Sequence, residues 1–136
     1  MVKKFFFFGA VGLLLELFWT GLVSALSLDA SLECHSSWWM FFIYGLAAFM
    51  GGCFELLRGE GLIKRGIVYT SVIFFVEYFS GLILRSLASC PWDYSAALFS
   101  VNGLIRLDYA PLWFIAGLFF EWLYFNKVKI WELTKT

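Results

Sequence analysis

The sequence predicts an all-α integral membrane protein, one domain spanning residues 1–136 and built as a bundle of four transmembrane helices. Three observations carry this prediction. Apolar residues fill 62% of the 136 positions and charged residues only 15%, with a mean hydropathy of +0.82, far from the roughly half apolar, quarter charged mixture of soluble domains. The apolar residues gather into four runs, at 5–28, 38–57, 66–87 and 109–125, each near the ~20 residues that cross ~30 Å of hydrocarbon. Lysine and arginine, finally, fall between those runs with a strong bias to one side.

The runs set helices at about 5–28, 38–57, 66–88 and 109–126, the last at the short end for a span. They are too long and too continuously apolar to alternate as barrel strands, and an open sheet would leave backbone groups unsatisfied in lipid. The first run, opening MVKKFFFF and ending near Val23-Ser24-Ala25, also has the outline of a secretory signal. Its apolar stretch exceeds the roughly 7 to 15 residues of a signal core, and Glu16 sits in its middle, so it is expected to stay as a span.

Lys3, Lys4, Arg58, Lys64, Arg65, Lys127, Lys129 and Lys135 lie on one side of the runs, and Arg85 and Arg106 on the other. Eight against two predicts that both termini and the 58–65 connection face the cytoplasm, with the plasma membrane as the expected location. Trp38, Trp39, Trp92 and Trp113 then mark the outer boundary, and Trp122, Tyr124 and Trp131 the inner one. A net charge of zero with no basic run excludes nucleic acid as a partner and leaves the lipid bilayer as the expected one. No Gly-rich phosphate loop is present, and no cofactor is expected.

Each predicted helix holds one carboxylate: Glu16, Glu55, Glu77 and Glu121. An unpaired charge at the bilayer centre costs ~2.5 kcal/mol or more. Glu16 and Glu77 are expected near mid-membrane, whereas Glu55 and Glu121, close in sequence to Arg58 and Lys127, are expected to snorkel to the inner interface. GLLLELFWTGL resembles FFVEYFSGLIL, and FMGGCFELL resembles FIAGLFFEWL, which points to two tandem two-helix repeats placing Glu16 opposite Glu77. Arg85, about two turns outward of Glu77, is too distant for an intrahelical pair and is expected to reach Asp93 or a carboxylate on another helix.

Between the third and fourth helices lies an outer loop expected to be ordered, a lid over the bundle. Pro91 ends the helix, Trp92-Asp93-Tyr94-Ser95 suits an Asx- or ST-type turn, and Asn102-Gly103 suits a tight turn followed by a short extended or hairpin piece. Cys34 and Cys90 both fall on the outer side, where a disulfide is sterically conceivable, and Cys53 reads as a small core residue. His35, beside Glu33 and Cys34, reads as a solvated loop histidine, and no metal site is expected.

The segment EYFSGLILRSLASCPWDYS, followed by VNGLIRLDYAPLWFIAGL, closely resembles the transmembrane protein 229 family and its bacterial relatives labelled type IV ABC-transporter proteins. Glu77, Gly81, Arg85, the Cys-Pro-Trp-Asp-Tyr-Ser run, Asn102-Gly103 and Trp113 carry the likeness, which continues more weakly through FFIYG at 41–45 and through Gly12 and Glu16. The resemblance implies a small four-helix integral membrane protein over nearly the whole chain.

Three functional classes follow. The first is a binding, conducting or transporting protein for a small polar, cationic or lipid-headgroup ligand. Its candidate ligand residues are Glu16, Glu77, Arg85, Trp92, Asp93, Tyr94, Ser95, Asn102, Trp113 and Glu121, with no catalytic residue among them. The second is a non-catalytic subunit or scaffold, a homo-oligomer such as a dimer or the companion of a membrane partner, packing through glycines 9, 12, 51, 52, 81 and 117. The third, an intramembrane lipid-modifying enzyme, lacks a visible nucleophile and base.

Overall fold

The computed structural model describes residues 1–28 and 30–129. The chain is mostly helical. Helix α1 runs Val2–Leu26, and the second span, Trp38–Leu57, is made of α2 (Trp38–Gly45), a 3-10 stretch (Leu46–Met50) and α3 (Gly51–Leu57). Helix α4 follows at Leu62–Ser86, then an antiparallel hairpin of β1 (Ser100–Val101) and β2 (Ile105–Arg106). Helix α5 covers Ala110–Leu123 and passes into a π-helical turn at Tyr124–Val128. Among the described residues, Val2–Leu26, Trp38–Leu57 and Leu62–Ser86 are long and apolar enough to cross a membrane. The protein is therefore membrane-embedded and helical.

The element ends differ from the hydropathy boundaries for local reasons. The third helix starts at Leu62, a turn before the expected Gly66, because Lys64 and Arg65 end an apolar run without ending a helix, both being good helix formers. Lys64 also pairs with Glu60 at 2.8 Å. The same helix stops at Ser86, two residues short of the expected end. Ala88 takes φ +52°, the Ser89 amide donates to the Leu84 carbonyl at 2.8 Å and the Ala88 amide to that of Arg85 at 3.0 Å. This closing pair of bonds defines a Schellman end, here with alanine where glycine is usual.

The second span is not the uniform helix expected over 38–57. It opens well, since the Ser37 hydroxyl accepts from the Trp39 amide at 3.3 Å, but tightens to 3-10 geometry between Gly45 and the Gly51-Gly52 pair. Glycines hold an α-helix weakly, and the backbone between them is free to tighten. The fourth helix begins at Ala110 with Pro111 in its first turn, where proline is tolerated, and widens to π geometry at Tyr124.

Contacts divide the chain into two compact units, Met1–Met50 and Gly51–Thr136. In the first, α1 and α2 run antiparallel with glycines as the contact points: a methyl group on Gly9 would lie 2.7 Å from the Phe41 carbonyl, and one on Gly12 would enter the Tyr44 ring. In the second, α4 and α5 meet where Gly66 lies against the Phe114 ring and Gly117 against the Cβ of Tyr69. Close backbone approach through small residues is the usual way apolar helices associate in lipid, where side-chain burial alone gives no driving force. The innermost side chains of the second unit are Phe54, Tyr69, Leu104 and Val128. Leu14, Phe18, Phe75 and Ile115 point outward, as lipid-facing residues do.

Candidate functional site

In the first unit the loop after α1 folds back along the helix that precedes it. The Thr20 hydroxyl bonds the His35 carbonyl at 3.1 Å and accepts from the His35 amide at 3.0 Å, and the Cys34 Sγ lies where a methyl group on Gly21 would project. Ser36 hydrogen-bonds the carboxylate of Glu16, whose Oε2 is buried without a hydrogen-bond partner among the described residues. Glu16 thus stands level with the N-terminus of α2 and at the foot of the folded-back loop. His35 and Glu33 sit 3.2 Å apart in that loop, both exposed.

The second unit carries the loop cap between α4 and α5. Asp93 accepts from the amide of Ser95 at 3.0 Å and from its hydroxyl at 2.5 Å, the expected Asx turn. Asn102 and Gly103 both have positive φ, 52° and 68°, as the tight hairpin turns require, and the Leu104 amide closes the turn on the Val101 carbonyl at 3.0 Å. Gly103 is needed for space as well, because a methyl group there would meet the Ser95 hydroxyl and Asp93.

Arg85 ties the two pieces together. Its guanidinium donates to the carbonyls of Asn102 (2.7 Å) and Gly103 (3.2 Å) and lies 3.7 Å from Asp93. The Tyr94 amide donates to Gly103 at 2.9 Å, the Trp92 indole to the Leu104 carbonyl at 3.0 Å, and the Asn102 side chain to the Tyr78 hydroxyl at 2.9 Å. The result is a knot of polar groups whose apolar underside, Leu104 and Trp92, presses on Gly81.

Glu77 lies one turn inward of Gly81 on the same helix face and is 8% exposed. On α5, Trp113 meets Tyr109 edge-on at 6.3 Å and Tyr109 meets Tyr94 at 6.0 Å, so an aromatic series descends from the cap along α5. Arg106 lies 4.3 Å above the Tyr109 ring and pairs with Asp108 at 2.6 Å. The Trp113 indole nitrogen is buried without a hydrogen-bond partner among the described residues.

The hydrogen bonds from Ser95, with the Arg85 charge as a smaller contribution, hold the Asp93 carboxyl below the usual carboxylate range. A depressed folded-state pKa means that the stabilisation is present above the unfolded value and is lost as pH falls through the folded one. The cap should therefore stay closed through the ordinary carboxylate range near pH 4 and open only below it. Trp92 fluorescence followed against pH checks this, and Asp93→Asn should abolish the acid transition; an unchanged transition in that variant would remove Asp93 from the clamp.

A second polar cluster escaped the sequence reading. Glu121, expected to snorkel, is instead 4% exposed, with Arg65 Nη1 at 2.7 Å and the Tyr69 hydroxyl at 2.9 Å. Glu55 repeats the pattern nearer solvent, with Lys129 Nζ at 2.7 Å and the Tyr124 hydroxyl at 3.5 Å. In both, a glycine four residues earlier, Gly117 or Gly51, receives the tyrosine that reaches the glutamate. The shared Gly-x-x-x-Glu spacing was the available signal, while the tyrosine and the cation are distant in sequence. Phe54 stands between the two tyrosines, at ring distances of 5.2 and 5.5 Å.

No family model matches the chain, and no solved structure matches it. The geometry must therefore carry the reading by itself. Among the described residues no group of three or more His, Cys, Asp and Glu side chains could hold a metal ion. Cys34, Cys53 and Cys90 are free thiols, the first in one unit and the other two in the second. Of the sequence-predicted residues, Arg85, Asp93, Ser95, Asn102 and Trp92 come together in the cap, with Tyr94 bonded to it through its backbone. Glu77 lies directly beneath, Trp113 on the neighbouring helix, and Glu121 apart in the Arg65–Tyr69 cluster.

Proposed function

We propose that the chain is a four-span membrane protein, related to the transmembrane protein 229 family, that binds or moves a small cationic, polar or lipid-headgroup ligand at carboxylates buried beneath its outer loops. The fourth span is α5 together with its π-helical extension, about 30 Å long at ~1.5 Å per residue. The lysine and arginine bias supports cytoplasmic termini, a cytoplasmic 58–61 turn and an outer cap.

The observation that carries the reading is the position of Glu77. It is a buried carboxylate inside a 25-residue apolar helix, one turn below the polar cap that Arg85 ties to that helix. Arg85 acts as the clamp of the lid, and Glu77, a carboxylate at spanning depth just below it, is the ligand-facing group. Glu16 at the foot of the other outer loop offers the same chemistry in the first unit. An intramembrane carboxylate attracts a cation because low polarity strengthens their attraction and hydration is already lost.

Tryptophan fluorescence tests this, since the Trp92 ring lies against Gly81, one turn from Glu77. Titration of the detergent-purified protein with tetraphenylphosphonium and with phosphocholine should give a saturable change that Glu77→Gln abolishes without altering the unfolding midpoint. No change with either probe, or the same change in the variant, would reject the carboxylate as the ligand group.

The scaffold reading receives less support from the same contacts. Gly9, Gly12, Gly51, Gly81 and Gly117 are each filled by a side chain or carbonyl of their own unit, leaving Gly52 alone of the six glycines with open space around it.

A further inference from the structure

Among the described residues, the end of the second unit that holds Arg58 and Lys127 has more cations than ion-paired carboxylates. Glu55, Glu60 and Glu121 are taken by Lys129 at 2.7 Å, Lys64 at 2.8 Å and Arg65 at 2.7 Å. Arg58 and Lys127, both exposed, have no ion pair with a carboxylate among the described residues. The Arg58 guanidinium lies over the Phe125 ring, 4.8 Å from its centre, and Lys129 Nζ approaches the same ring at 5.5 Å. A guanidinium stacked on an aromatic face keeps its N–H edge free for a bidentate acceptor, and phosphate geometry matches that edge.

The surroundings select the kind of phosphate. Trp122, half exposed, stacks on Phe119 at 6.1 Å with an interplanar angle of 16°. Exposed aromatics next to unneutralised cations at the end of an apolar helix mark the headgroup level of a bilayer, where acyl chains run along the helix and a phosphate lies beside the cations. A soluble phosphate would gain nothing from that apolar rim.

We propose that Arg58, set over Phe125 and assisted by Lys127, binds the phosphate of an anionic phospholipid. Its assignment to the cytoplasmic leaflet rests on the orientation given under the proposed function, but the binding chemistry does not.

Native mass spectrometry of the full chain in micelles holding equal amounts of phosphatidylglycerol and phosphatidylcholine tests the proposal. The wild type should retain phosphatidylglycerol preferentially, and Arg58→Gln should reduce that preference about fivefold, the usual effect of one basic residue at an anionic surface. Lys127→Gln should reduce it less, while Lys64→Gln, which removes a cation already held by Glu60, should leave it unchanged. The side chains of all three are exposed, so equal unfolding midpoints are expected and serve as the fold control. Equal retention of both lipids by the wild type, or a preference that survives Arg58→Gln, would overturn the proposal. Displacement of the lipid by millimolar glycerol phosphate would overturn it too, by identifying a soluble phosphate site. Micelles have no sides, so a failed orientation leaves this result intact. That failure shows separately, as labelling of Gly59→Cys by an impermeant maleimide from outside the cell in a background with the native cysteines replaced by serine.

Discussion

Arg65→Leu should destabilise the protein by about 3 kcal/mol, because it leaves the Glu121 carboxylate buried with its charge uncompensated. The Glu121 side chain is 6% exposed and cannot turn to water, whereas Arg65, at 22%, can partly do so. The reverse deletion, Glu121→Leu, is accordingly expected to cost less, about 2 kcal/mol. Tyr69→Phe removes one hydrogen bond to a charged acceptor and should cost about 1.5 kcal/mol. The double variant, Arg65→Leu with Glu121→Leu, removes both charges together and should recover most of the loss, since apolar replacements of a buried pair are often neutral. Unfolding midpoints in a denaturing-detergent titration give the four values. An Arg65→Leu protein as stable as wild type would mean that Glu121 is neutral or solvated, and the cluster would not be an ion pair.

Gly117→Ala should cost about 2 kcal/mol, within the usual range for forcing a methyl group into a packed contact. The methyl would meet the Cβ of Tyr69, an atom fixed to the backbone that no rotamer can move. Helices α4 and α5 would have to part, drawing the Tyr69 hydroxyl away from Glu121 and loosening the ring contact with Phe54. Gly66→Ala meets the Phe114 ring, which can turn aside, so its cost should be smaller. Gly52→Ala meets nothing within 4 Å and should be neutral or stabilising, because alanine holds a helix ~1 kcal/mol better than glycine. Equal effects at Gly117 and Gly52 would show that the α4–α5 contact is looser than described.

The three longest helices were legible because a run of ~20 apolar residues has one low-energy solution in lipid. Their ends were less legible. Hydropathy falls at Lys64, but helix propensity does not, and α4 includes the charges at its N-terminal end. The cap was readable in outline, since the Asp93–Ser95 turn and the Asn102-Gly103 hairpin depend on neighbours in sequence. That Arg85 bonds mainly to the hairpin carbonyls, with Asp93 only at 3.7 Å, depends on a fold-back that no local rule encodes.

The partners of the carboxylates were harder to read. Counting residues from the helix ends says where Glu16 lies along α1 but not what meets it, and the loop returning along α1 brings Ser36 to its carboxylate. Glu121 was misplaced for a related reason. Sequence distance to Lys127 said nothing about Arg65, which lies 56 positions away and directly across the helix contact.

The central claim is that the carboxylate beneath the cap exists to hold a ligand. Native mass spectrometry of protein extracted directly from the membrane, wild type beside Glu77→Gln, tests it most directly. The account predicts a small molecule retained by the wild type and absent from a folded Glu77→Gln protein of the same oligomeric mass. A clean, ligand-free mass for both would contradict it and leave the buried carboxylate a structural one.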